Sequence, residues 1–124
     1  MRVPVPFIVC LLLTACDAPT RGFGGAEVSR HAVEGSSFTV HVKGDQAEAV
    51  RTNRQYAPRI GPLAGRAAVA MQQASGCRVT RIAGDAAVLV GALSCSAAPR
   101  PACEVDAELL GRRGLRVPVR RTCS

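Results

Sequence analysis

The alternation of apolar and polar positions changes period along this chain, and each change marks an element. Phe38-Thr-Val-His-Val-Lys43 alternates, which predicts a strand. Gly44-Asp45 follows as a two-residue turn with glycine first, suited to a type II′ hairpin, and Gln46 to Thr52 returns. That turn pairs Val42 with Ala47 and Val40 with Ala49 on one face and sets His41 opposite Glu48 on the other. Tyr56-Ala-Pro58 breaks the strand. Leu63, Ala67, Met71 and Ala74 then recur at helical spacing, a narrow stripe of mostly small residues suited to close packing on a sheet. The expected helix starts between Pro58 and Leu63, holds Pro62 in its first turn and ends near Ser75, with Gly76 as its stop.

Cys77 to Ala83 reads as another strand, and Gly84-Asp85 turns it into a return over Ala86 to Cys95. A weak internal repeat, TVHVKGDQAEAV at 39–50 and VTRIAGDAAVLV at 79–90, fits two similar hairpins flanking one helix. After a linker over Ser96 to Pro101, Cys103 to Leu109 alternates, Gly111 to Gly114 turns, and Leu115 to Cys123 returns. Centring that turn on Arg113 places Cys103 opposite Cys123. The same register gathers Val105, Ala107, Leu109, Val117 and Val119 on one face and sets Asp106 opposite Arg120. The fold expected is a single small α+β domain: hairpin, helix, hairpin, then a disulfide-clamped C-terminal hairpin. Val28 to Gly35 is ambiguous and fits a short edge strand. The expected boundaries are a leader over 1–15, a tether over 16–35 and the domain over 36–124.

The start of the chain has a different pattern. Met1-Arg2 is positively charged, and Val3 to Leu13 is an apolar run far too short to span a bilayer as a helix. It closes on Leu13-Thr14-Ala15-Cys16, small residues before a cysteine. This resembles the lipobox of bacterial lipoproteins. The resemblance implies that residues 1–15 are a signal peptide removed before Cys16. It also implies that Cys16 carries a diacylglyceryl group and an amine-linked acyl chain such as palmitate, and that the protein is held on the bacterial cell membrane facing the periplasm. Each buried methylene contributes about 0.8 kcal/mol, so two or three chains make a durable anchor where one is marginal. In the lipoproteins it resembles, an aspartate at the place of Asp17 tends toward the inner membrane, and the choice between inner and outer membrane is left open. The Gly- and Pro-rich run after Cys16 reads as reach between lipid and domain.

Export gives the cysteines a context. Cys10 lies in the leader and Cys16 takes the lipid, leaving Cys77, Cys95, Cys103 and Cys123, an even set for an oxidising compartment. The register above pairs Cys103 with Cys123 and leaves Cys77 with Cys95 by elimination. The second pair needs a bulge or an off-ladder cysteine, because an ideal Gly84-Asp85 turn sets Cys77 opposite Ala92. Gaps of 18, 8 and 20 residues lack the close pairs of a zinc site. No metal and no cofactor is expected.

Formal charge is +7, with 16 Lys and Arg against 9 Asp and Glu. Such a balance attracts anionic surfaces. Nucleic acid is not an expected partner, since the compartment is wrong and Phe23, Phe38 and Tyr56 are too few aromatics for a stacking platform. The expected partners are the membrane through the lipid, and an envelope protein or an anionic cell-wall or lipid component. The contact residues expected are Arg112, Arg113, Arg116, Arg120 and Arg121 on the C-terminal hairpin, whose planar forks suit carboxylate or phosphate. A second group is Arg51, Arg54 and Tyr56, on the connection into the helix. No catalytic residue is expected. The enzymatic or enzyme-inhibitory alternative rests on His41 with Glu48, a base with its orienter. No nucleophile elbow or phosphate loop accompanies them.

Overall fold

In the computed structural model, residues 22–54, 59–96 and 98–123 are described. Residues 1–15, expected as a leader, and Cys16, Asp17 and Tyr56 lie outside them. The elements are β1 (Glu27–Val33), β2 (Ser36–Lys43), β3 (Gln46–Arg51), α1 (Ile60–Ser75), β4 (Arg78–Gly84), β5 (Val88–Ser94), β6 (Val105–Leu110) and β7 (Arg116–Arg121). The seven strands form one sheet in the order β1-β2-β3-β5-β4-β6-β7. Every neighbouring pair is antiparallel except β4 and β6. With α1 packed on one face, this is a two-layer α+β domain.

The registers read for the first and the C-terminal hairpins hold in detail. β2 and β3 pair Val42 with Ala47, Val40 with Ala49 and His41 with Glu48. Gly44 has φ 60°, which the first position of a type II′ turn requires. In the C-terminal hairpin Asp106 faces Arg120 and Val105 faces Arg121, with Arg113 at the centre of the connection. Cys103 joins Cys123, and Cys77 joins Cys95. Closing loops of about 20 residues, each bond stabilises a small core by roughly 2–4 kcal/mol through the unfolded chain.

The helix runs as its pattern requires. Leu63, Ala67 and Met71 are buried against the sheet, beside Ala64, Ala68 and Ala70. Small side chains let the layers approach closely. A Cβ on Gly91 of β5 would lie 2.5 Å from Met71 Sδ, so a larger residue there would have to displace the methionine side chain. Gly76 closes the helix in the left-handed conformation, its N–H donating to Gln72 O. Gln72 is itself buried. Its Nε2 donates to Ala102 O (2.8 Å) and Glu104 O (2.7 Å), and its Oε1 accepts from Val79 N (3.1 Å), tying α1 to β4 and to the approach to β6.

Three expectations change. The boundary at residue 36 moves toward the N-terminus: β1 pairs with β2 over seven positions, and Phe23 before it is buried. The short edge strand that Val28 to Gly35 allowed is thus present, at the margin of the sheet. The Gly84-Asp85 turn is wider than two residues. Asp85 Oδ1 accepts the N–H groups of Ala87 (2.8 Å) and Val88 (2.9 Å), so Gly84 pairs with Leu89. Those bonds, Val88's above all, hold the Asp85 carboxyl below its ordinary range. A register shift between Val79 and Arg81 follows, which sets Arg78 opposite Ser94 and brings Cys77 and Cys95 together just beyond the ladder. The two repeat segments therefore share residues and not turn geometry. Val117, expected on the apolar face, stays exposed because a cleft beside α1 opens there.

Candidate functional site

The five hairpin arginines do not converge on one site. β7 alternation puts Arg116 and Arg120 on the face away from α1, where they meet Glu108 (3.4 Å) and Asp106 (3.6 Å). Arg121 turns to the helix side and pairs with Glu34. Arg112 and Arg113 occupy a single 3-10 turn at the hairpin tip, exposed and in no ion pair among the described residues. Arg113 takes a left-handed backbone, φ 58°, between Arg112 and Gly114. Leu115 beside them is 62% exposed. The tip thus presents two uncommitted guanidinium groups next to an apolar side chain.

The second group is built into the fold. Arg51 Nε donates to Ala86 O (2.8 Å) and its Nη1 to Asn53 O (3.0 Å), bridging the end of β3 to the β4–β5 connection. Asn53 completes the closure: its Oδ1 accepts from Ser37 N (3.0 Å) and its Nδ2 donates to Gly35 O (2.9 Å). Arg51 is therefore spent on main-chain carbonyls, whereas Arg54 is exposed and available. Tyr56 lies outside the described residues.

His41 and Glu48 stand opposite one another, as their register requires, but neither reaches the surface. Their exposures are 1% and 0%. They sit on the face away from α1, between Val28 of β1 and Val90 of β5. His41 Nδ1 is 3.5 Å from Glu48 Oε1, too far for a good hydrogen bond, and has no other hydrogen-bond partner among the described residues. A general base must reach a substrate proton directly or through one water. In this structure both side chains of the pair are buried.

No family model, curated protein or solved structure matches this chain. The site is read from its own chemistry.

Sequence reasoning missed one cluster. Glu34 follows β1 in a two-residue turn with Gly35, both at positive φ (48° and 84°). Its carboxylate receives Arg121 from β7 and lies 3.7 Å from Arg66 Nε of α1. β1 and β7 are opposite edges of the sheet, so the sheet curls around the helix until one carboxylate bridges its two margins. A cleft of about 310 Å³ opens beside this contact, lined by Gly61, Gly65, Arg66, Pro118, Val119 and Arg121. The one available signal was a Gly-containing dipeptide, Glu34-Gly35, between two strand-like runs. Among the described residues no group of three His, Cys, Asp or Glu gathers as a metal site, and no helix is long and apolar enough to cross a membrane.

Proposed function

We propose that this protein is a lipid-anchored envelope lipoprotein, held through Cys16, whose small domain is a non-catalytic binding module. Its partner is an envelope protein or an anionic cell-wall or lipid component. Leu13-Thr14-Ala15-Cys16 supports the anchor, and the tip of the C-terminal hairpin supports the binding role. The observation that carries the binding role is that Arg112 and Arg113 are exposed and uncommitted beside the exposed Leu115, while the other hairpin arginines are engaged with carboxylates. Cation next to apolar surface matches the composition of recognition patches, in which arginine is enriched. Arg54 is a secondary contact.

Replacing Arg112, Arg113 and Arg116 with Gln tests the binding role. Retention of the protein on anionic liposomes or isolated cell-wall sacculi is expected to fall. Unchanged retention removes the electrostatic reading. For the anchor, metabolic labelling with a fatty-acid probe is expected to mark the wild type and not Cys16→Ser, and equal labelling of the two contradicts it.

A further inference from the structure

We propose that Arg66 and Arg121 form a binding site for a small oxyanion, a carboxylate or phosphate, which the protein's own Glu34 occupies in the free state. The two guanidinium groups come from different layers, α1 and β7, and approach one carboxylate from both sides. Their side chains are 23% and 25% exposed, so they are partly desolvated and their charge is less screened than at the hairpin tip. Two cations against one carboxylate leave a net positive charge facing the 310 Å³ cleft.

The tenant is weakly held. Glu34 is 57% exposed, so little burial opposes its departure. Its backbone adopts φ 48° at the first position of its turn, a conformation that favours Gly or Asn over Glu. The surroundings suit an incoming anion better than they suit a glutamate arm. Gly61 and Pro62, in the first turn of α1, border the cleft, and that turn has neither an acidic residue nor a side-chain cap. Gly65 has no Cβ, and one placed there would lie 3.0 Å from Arg121 Cδ, so glycine lets the arginine stem lie against the helix. Each guanidinium offers a fork of donors matched to two oxygens of a carboxylate or phosphate. The site is separate from the hairpin tip, and the two readings fail independently.

The test uses the full chain with both disulfides formed. Glu34→Asn removes the carboxylate and suits the turn. Wild type and Glu34→Asn are titrated with inorganic phosphate and, separately, with succinate, following the arginine Nε–Hε resonances and the thermal midpoint. Glu34→Asn is expected to bind one or both at least tenfold more tightly than wild type. Adding Arg66→Gln or Arg121→Gln is expected to abolish that gain. The phosphate and succinate arms tell which oxyanion the site prefers. Equal affinity in wild type and Glu34→Asn overturns the proposal, as does binding that survives Arg66→Gln. If Glu34→Asn is unfolded, Glu34→Gly, which tolerates positive φ best, carries the same comparison.

Discussion

Two arginine groups lie at the two ends of β7 and do opposite things. At one end, Arg112 and Arg113 sit on a tight turn, exposed and in no ion pair among the described residues. At the other, Arg121 joins Arg66 on Glu34 and bridges the two margins of the sheet. Residue type is the same, and location decides the role. A charge on a protruding turn keeps its water and is free to meet a partner. A charge drawn against the helix gives up part of its hydration and is committed to a carboxylate. An arginine count along the chain cannot separate the two, because alternation along β7 sends neighbouring residues to opposite faces.

Substitutions that break the contrast should do so in graded steps. The largest effect is expected from Cys103→Ser with Cys123→Ser. Freeing the end of β7 should destabilise the domain by roughly 2–4 kcal/mol and disturb the Arg121 contact as well, measured by chemical denaturation. Gln72→Leu is next, at about 2–3 kcal/mol, because the buried Val79 N–H and the Ala102 carbonyl lose their partner, while Glu104 O keeps Arg78 Nη1. Glu34→Asn should change stability by under about 1 kcal/mol, since a half-exposed ion pair is screened while the turn is relieved. Arg112→Gln with Arg113→Gln should leave stability within about 0.5 kcal/mol of wild type and still reduce retention on anionic surfaces. A destabilisation of 2 kcal/mol by that pair would erase the contrast between tip and clasp.

A pH effect of small size comes from the β4–β5 connection. The folded Asp85 carboxyl titrates below its ordinary value of 3.8 because Val88 and Ala87 donate to it. The depressed value means that its contribution is complete above the unfolded value and is lost as pH falls through the lower folded one. Thermal unfolding of wild type and Asp85→Asn should therefore show a stability difference that shifts against wild type only below about pH 4. The group is exposed, so the change should be a few tenths of a kcal/mol.

Local pattern made much of this fold legible. Gly44-Asp45 specified its own turn type, and the β6–β7 register was over-determined by a cysteine pair, an apolar face and an Asp–Arg pair. What stayed hidden has physical reasons. Asp85 looked like the second residue of a tight turn, but its side chain captures two main-chain N–H groups and widens the loop. β1 was legible as a short edge strand but ambiguous, because an edge lacks apolar contrast. The parallel pairing of Ile82 with Leu109 joins segments far apart in sequence, and no local period records such a contact. His41 and Glu48 were correctly set opposite one another, yet cross-strand register says nothing about burial. The Glu34 clasp needed the curl of the whole sheet to bring its two edges together. The tip arginines alone could be found by position, as the centre of a hairpin connection.

The most direct test of the binding role is site-specific photo-crosslinking in cells. An apolar photoreactive residue replaces the exposed Leu115, keeping both tip arginines, in one variant and Asp45, in the β2–β3 turn, in another. The account predicts a discrete adduct with an envelope protein or cell-wall component from position 115 and none from position 45. Adducts of equal yield from both positions, or none from 115, would contradict it.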